Sequence, residues 1–451
     1  MSRAQPRQPC GHRGGDPRQP AGADPPGGDR AAVRRACPTR GEDRRGAGAM
    51  WLRAARETSG GVAGLTGRGR APLSRVRWVL LLAGLMVTPS KGPSPESPDP
   101  NREPGGESVR SVEVRSPARL HLGMLSFGDP AIRSFGGVGL MVERPGVWLR
   151  MQSAAELSAR GPLAERAVGF AAACRKHWGL SETEACEIEV VEAPREHVGL
   201  GSGTQLALAV AAGLWQLHVR NAGEVGEEHL FEREEAFDFA RATGRGRRSC
   251  VGLHGFSRGG LVIEGGRHTD SKTEAGGGPA GAATSFSPMV ARVRLPSQWR
   301  CLVLTQRDAS GLSGEQEQQV FAGLPPVARE VTGELARIAT LELVPAAVEG
   351  DFDEFADAVF RYGRLAGRPF ESAALQQPHA ESIADTITLL GELGVRGAAQ
   401  SSWGPTIFAC CRSLEQAAGV LERFEDLGIA AHFDATVTRF DNDGASLRLL
   451  S

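Results

Sequence analysis

The stretch "EHVGLGSGTQLALAV", residues 196 to 210, places Gly199, Gly201 and Gly203 directly ahead of a run of alanine, leucine and valine. The glycines strip side chains from the backbone just where a helix begins at about Thr204. Unpaired amides and the positive end of the helix dipole then converge on one point. Such a point binds anions, and Ser202 and Thr204 add hydroxyls and Gln205 an amide, so phosphate or pyrophosphate suits it best. Leu206, Val210, Leu214 and Leu217 fall on one stripe with alanines around them, which packs the helix on several sides and holds the loop still. The loop has neither the lysine of a P-loop nor the spacing of a GxGxxG dinucleotide loop. A plain glycine turn ahead of a core helix is the competing reading.

Three further groups carry chemistry. "RGRRSCVG" puts Arg245, Arg247 and Arg248 in a glycine-bearing turn between a helix and an apolar strand, where guanidinium forks grip phosphate or carboxylate. Arg247 and Ser249 are the site candidates there, against a solvated basic patch. Arg119 and His121 alternate with Leu120 and Leu122 and so share one face of a strand. His121 is either a proton acceptor or a hydrogen-bonded structural histidine. "SSWGPT" presents Ser401, Ser402 and Trp403 at a rigid Gly404-Pro405 turn, with Thr406 opening the strand beyond, and Trp403 reads as a pocket wall against the competing reading of a core filler. Glu143, Glu264 and Glu315 stand open as magnesium partners or as ordinary surface acids.

These groups need a scaffold, and 451 residues suffice for two or three domains. The net charge of -1 gives no global field for nucleic acid or an anionic membrane, so any anion site is local. Eight cysteines show no CxxC pair and no metal-finger spacing, which suits reduced thiols in a cytoplasmic enzyme.

Residues 1 to 50 hold 10 Arg, 9 Gly and 7 Pro and almost no large apolar residue, which predicts disorder. Low complexity continues to about residue 108, broken by an apolar segment from Trp78 to Val87 that is too short to span a bilayer. For this region the readings are an extension upstream of a true start at Met50, Met86 or nearby, a membrane or export signal, or a genuine flexible arm. From Val109 strands and helices alternate. Residues 137 to 152 read as a hairpin pair broken at Pro145-Gly146, 162–178 and 204–218 as helices, and 271–288 as a linker-like insertion. Beyond it come a buried strand "RCLVLTQ", two or three helices over 326–367, another over 381–394, and a tail of strand "TIFACC", helix and strand with Ser413 or a neighbour as cap and Gly428 as stop.

"GLGSGTQLALAVA" resembles the central phosphate-loop motif of the GHMP kinase superfamily, with Gly203 and Thr204 where the kinases carry Ser-Ala. Four further blocks are similar to a non-kinase branch, the β-ribofuranosylaminobenzene 5′-phosphate synthase family. They are "SPARLHLGMLSFG" with "RSFGGVGLMVERP", "RATGRGRRSCVGLHGFSRGGLVIEGG", "GLSGEQE" and "AAQSSWGPTIFA". The resemblance spans about residues 109 to 440.

It implies an α+β, GHMP-kinase-like two-domain fold, a ribosomal-protein-S5-like domain over 109–290 and a ferredoxin-like domain over 291–451, after the extension 1–108. It implies a glycosyltransferase that condenses phosphoribosyl pyrophosphate with 4-hydroxybenzoate or 4-aminobenzoate, releasing carbon dioxide and pyrophosphate, in tetrahydromethanopterin biosynthesis. On that basis Gly199, Gly201, Ser202, Gly203, Thr204, Gln205 and Ser249 are expected at phosphate and Ser401, Ser402, Trp403 and Thr406 at the aromatic acid. Arg119, His121 and Arg247 are expected in catalysis, with Mg²⁺ and no organic cofactor. Small-molecule substrates are the expected partners, with neither nucleic acid nor membrane, and a homodimer is left open. An ATP-dependent small-molecule kinase is the alternative enzyme, and a ligand-sensing scaffold the alternative outside catalysis.

Overall fold

The computed structural model describes residues 111–129, 132–220, 228–268, 286–311, 314–371 and 380–450. The low-complexity region 1–108, its Trp78–Val87 segment, most of the insertion at 271–288 and the Glu315 side chain lie outside the described residues.

In chain order the first half runs β1 (Ser111–Met124), β2 (Gly137–Ala154), β3 (Ser158–Arg160), α1 (Ala164–Trp178), β4 (Ala185–Glu192), α2 (Ser202–Leu214), β5 (His229–Leu230), α3 (Arg233–Thr243), α4 (Val251–Arg258), β6 (Leu261–Glu264) and β7 (Met289–Val293). The second half runs β8 (Arg300–Gln306), α5 (Gly314–Gly323), α6 (Arg329–Ile338), α7 (Val344–Glu349), α8 (Phe352–Gly367), α9 (Ala380–Glu392), β9 (Gly397–Gln400), β10 (Thr406–Cys411), α10 (Leu414–Asp426), β11 (Phe433–Thr438) and β12 (Ser446–Leu450).

Two sheets result. The first is ordered β3-β4-β2-β1-β12-β5, with β6 and β7 continuing from β2. The second, β11-β8-β10-β9, is antiparallel throughout. Its chain order, strand, helices, two strands, helix, strand, gives the split β-α-β pattern of a ferredoxin-like fold. The first sheet reaches past residue 290 on both sides of the second, taking in β7 and the C-terminal strand β12.

The hairpin expected at Pro145-Gly146 is instead one long strand, β2, paired antiparallel with β1 on either side of residues 143–146. The pairing slips between Ser116, opposite Val147, and Ala118, opposite Val142, so residues 143–146 of β2 bulge past Pro117, which has no ladder donor. This irregularity divides the core. Before it, Val112, Val114, Leu149 and Met151 pack on α1 to α4; after it, Leu120, Leu122, Val138 and Leu140 share a cluster with Trp299, Cys301, Val303 and α6 to α8. The second cluster welds the two sheets together.

In α2 all residues from Gln205 to Leu214 are buried, as its apolar circumference requires. In α8, Asp351 caps the helix by accepting the Glu354 amide, and Phe355, Val359, Tyr362 and Ala366 form its buried stripe. Ser413 caps α10 through the Gln416 amide and Gly428 (φ 71°) follows its end, both as read from the sequence. The apolar segment after Ser249 forms the short helix α4, with β6 only following Gly259-Gly260, and not a strand directly.

Candidate active site

Gly199 (φ 92°) and Gly201 (φ 69°) hold the loop before α2 in the left-handed region that side chains avoid. The Gly201 carbonyl accepts the amides of both Thr204 and Gln205 at 3.0 Å. Of the four amides expected to be open, those of Ser202 and Gly203 are left without backbone partners among the described residues. Gln205 is committed elsewhere. Its Oε1 accepts the Ser116 hydroxyl at 2.6 Å and its Nε2 donates to the Gly252 carbonyl at 2.9 Å, so it is a buried cross-link and not a phosphate ligand. The Ser202 hydroxyl is likewise turned inward, to the Arg195 carbonyl at 3.3 Å.

The glycines also make room for arginines. A Cβ on Gly203 would stand 2.7 Å from Arg166 Nη2, and one on Gly201 would stand 3.2 Å from Arg119 Nε. Arg166 reaches the loop from α1 and pairs with Glu196. Arg245 crowds it from the turn after α3, the two guanidinium carbons lying 5.6 and 4.7 Å from the Phe170 ring centroid. Burial first, then the charges of Arg166 and Arg247, pushes the Arg245 pKa down to about 10. Its Nε is buried with no hydrogen-bond partner among the described residues. Like charges packed beside open amides form a site that an added anion stabilises. Arg247 itself is exposed and contributes its charge from the rim, while Arg248 lies over Phe321 at 5.4 Å. Arg166 carries no local signal in the sequence, because only the packing of α1 on α2 brings it to the loop.

Arg119 and His121 lie along β1 as the alternation predicts, but Leu120 and Leu122 opposite them are buried as well. His121 is buried. Burial, and secondarily Arg119, holds its pKa well below the usual histidine range, so the ring is neutral at pH 7. Nδ1 accepts the Gly123 amide at 3.2 Å, which assigns the remaining proton to Nε2. The ring expected as a proton acceptor thus presents a donor at that nitrogen. Ser401 is fully buried and links three segments. Its Oγ accepts the His121 amide at 3.0 Å and donates to the Gly199 carbonyl at 2.7 Å. Thr406 is also buried, 2.9 Å from the Thr305 hydroxyl within the second sheet.

Ser249 accepts the Val251 amide at 3.2 Å at the start of α4. Close to it lies Glu264, fully buried, with Oε2 accepting the Cys250 amide at 2.7 Å. Burial pushes the Glu264 carboxyl up to about 7, against the opposing pull of the Ser249 hydroxyl, the Cys250 amide, the Ser287 hydroxyl and Arg119. The sequence marked Glu264 only as one of three candidate magnesium partners. Glu143 of that set lines a separate surface pocket.

A cavity of about 400 Å³ opens beside His121. Met124, Ile383, Ile387, Phe370, Ser402 and Trp403 form much of its wall. Trp403 meets Phe370 edge-on at 4.5 Å between centroids. Gly123 (φ 130°) lets Ala366 of α8 pack directly against β1 at the cavity floor. Of the four residues assigned to an aromatic ligand, Ser402 and Trp403 line this cavity, whereas Ser401 and Thr406 serve as cross-links behind it. The volume falls in the range of small-molecule sites.

Residues 343–430 match the family described as GHMP kinases C terminal. The chain is 31% identical over 342 residues to a beta-ribofuranosylphenol 5'-phosphate synthase of Archaeoglobus fulgidus, covering 75% of this chain and 100% of the relative. A protein of the same name from Methanothermobacter thermautotrophicus is 27% identical over 311 residues, 67% of this chain and 89% of the relative. Among solved structures, mevalonate diphosphate decarboxylase from Staphylococcus aureus aligns with a TM-score of 0.50 at 12% identity, over 76% of this chain and 99% of that one. That likeness shows the GHMP-kinase-like fold.

Proposed function

Because the chain belongs to the beta-ribofuranosylphenol 5'-phosphate synthase family, we propose that it is a decarboxylating phosphoribosyltransferase. In this reaction the ring carbon that bears the carboxylate of 4-hydroxybenzoate or 4-aminobenzoate attacks C1′ of phosphoribosyl pyrophosphate. A carbon-carbon glycosidic bond forms, and pyrophosphate and carbon dioxide leave. The relatives' name, a ribofuranosylphenol phosphate synthase, favours the hydroxybenzoate.

One juxtaposition carries this reading. Arg119, whose side chain meets the glycine loop at Gly201, and His121, which lines the apolar cavity, are two residues apart on one face of β1. That spacing is about 7 Å. An anion site and an aromatic pocket so placed would hold a leaving diphosphate and a benzoate ring on either side of one sugar carbon. The open amides of Ser202 and Gly203, with Arg166 and Arg245, would take up the charge that develops on the diphosphate. Trp403 and Phe370 would hold the ring flat, and desolvation in their pocket would favour loss of carbon dioxide from the attacked carbon.

Mg²⁺ enters this proposal with the diphosphate. Among the described residues no group of three His, Cys, Asp or Glu could hold an ion, so substrate phosphates and water would supply most of its ligands. Buried, unpaired Cys174, Cys186, Cys250, Cys301, Cys410 and Cys411 support a reducing, cytoplasmic setting, and no described helix is long and apolar enough to cross a membrane. Tetrahydromethanopterin biosynthesis, and so C1 metabolism, is the context this product fits.

The test is direct. With carboxyl-labelled 4-hydroxybenzoate and Mg²⁺, labelled carbon dioxide should appear only when phosphoribosyl pyrophosphate is present. Release that ignores the activated ribose, or phosphorylation of a small molecule by ATP in its place, would reject the assignment.

A further inference from the structure

Gly137 of β2 and Glu264 of β6 are direct partners across their antiparallel ladder. Paired residues project to the same side of a sheet, with Cβ positions about 5 Å apart. Gly137 has no side chain, and a Cβ built there would lie 3.2 Å from His121 Nε2. The tip of the imidazole therefore occupies the space Gly137 leaves free, on the side to which Glu264 projects. His121 Nε2 and Glu264 Oε1 are both buried, and neither has a hydrogen-bond partner among the described residues. The nitrogen carries a proton, by the Gly123 hydrogen bond to Nδ1, and a carboxylate oxygen accepts one. Buried polar groups are rarely left unsatisfied, and here an orphaned donor and an orphaned acceptor lie on the same side of the sheet beside Gly137.

We infer that Glu264 is the proton partner of His121, and that the two together move one proton from the hydroxyl of the aromatic substrate and return it. The inference rests on the acceptor site proposed above. As the ring carbon attacks, the Nδ1 lone pair passes from the Gly123 amide to the substrate proton: that hydrogen bond and the substrate O–H bond break and an Nδ1–H bond forms, while the Nε2–H bond breaks and a Glu264 Oε1–H bond forms. The electron pair of the O–H bond enters the ring, and the pair of the C1′–O bond leaves with diphosphate. Loss of carbon dioxide restores the aromatic ring as a phenolate, which takes the proton back along the same path. Glu264 does not line the cavity, so it acts through His121 as a positioning residue. A carboxyl whose pKa lies near neutrality suits that traffic, since it can hold or release the proton at working pH. The titratable and charged groups around it are Arg119 and His121 from β1, Cys250 at the head of α4, Arg267 after β6 and Tyr362 from α8.

The pair is tested by nitrogen NMR of the full chain labelled at histidine, with His121→Asn to assign the ring, alongside steady-state kinetics. Glu264→Gln should move the His121 Nε2 resonance and lower kcat roughly 100-fold, with KM for phosphoribosyl pyrophosphate changed less than about threefold. Glu264→Asp, which keeps the charge, should recover part of kcat and covers the case in which the glutamine variant folds poorly. A His121 resonance that stays put in both variants overturns the inference whatever the activity. So does a loss confined to KM for the activated ribose. If the resonance moves while the unaltered chain turns over no benzoate, the pairing stands and the proposed reaction is what fails.

Discussion

Ser401 donates its hydroxyl to the carbonyl of Gly199 across 2.7 Å, from the turn that precedes β10 to the loop that precedes α2. The same oxygen accepts the His121 amide, so one buried atom fixes the anion loop, the strand bearing Arg119 and His121, and the Ser402-Trp403 wall of the cavity relative to each other.

Ser401→Ala should therefore cost stability and catalysis together. It leaves a buried amide and a buried carbonyl unpaired, a loss of about 1–3 kcal/mol. Urea unfolding should show that shift in midpoint without a change in slope, and kcat/KM should fall at least tenfold at temperatures where the variant is folded. Full stability in the variant would mean that the two hydrogen bonds are replaced by water.

Arg245 makes the opposite trade. It is held among like charges that a bound anion would offset, so Arg245→Met, which keeps the stem over Phe170 but removes the charge, should leave the ligand-free protein as stable as before or more so. The KM for phosphoribosyl pyrophosphate should rise roughly 10- to 100-fold, the scale of one or two lost charge-assisted hydrogen bonds. The ligand's own elevation of Tm should shrink in step. Arg245→Met with an unaltered KM would remove Arg245 from the anion site.

Gln205 separates the two roles that a glycine loop combines. Gln205→Ala takes the short acceptor from the Ser116 hydroxyl and a donor from the Gly252 carbonyl, both buried, and should lower stability by about 2 kcal/mol. Because its side chain faces away from the loop, the KM for phosphoribosyl pyrophosphate should stay within about twofold. Calorimetry and initial rates on the same sample distinguish this from a phosphate ligand.

Local patterns were legible where one element decides its own neighbours. The caps at Ser413 and Gly428, the limits of β8 and β10, the buried α2 and the Arg119/His121 alternation all follow from spacing and residue type. Ser402 and Trp403 were visible for the same reason, as a polar and aromatic turn against a buried strand. What escaped depends on distant packing. Arg166 reaches the loop only because α1 lies along α2, Gln205 turns inward because β1 and α4 offer it partners, and β2 continues past Pro145 because β1 pairs with it again from Ala118 onward. Glu264 looks like any strand-end acid until Gly137 is seen across the ladder.

Glu264 also makes a prediction about folding that needs no substrate. Its carboxyl has an ordinary value of 4.5 in the unfolded chain and about 7 in the folded one. Below pH 4.5 both states hold the proton, and the group does not favour either. Between these values the folded state binds a proton that the unfolded state has lost, so stability falls as pH rises, and above pH 7 the full penalty of a buried charge applies. A displacement of this size corresponds to about 3 kcal/mol at most. Glu264→Gln keeps an acceptor for the Cys250 amide and cannot ionise, so it should match the unaltered chain near pH 4 and exceed it in stability at pH 8. The difference between the two proteins isolates this group from His121, whose lowered pKa acts in the opposite sense, losing stability as pH falls below its unfolded value. Parallel unfolding curves at both pH values would show that the carboxylate is solvated or paired in the folded protein, and would remove the reason for its raised pKa.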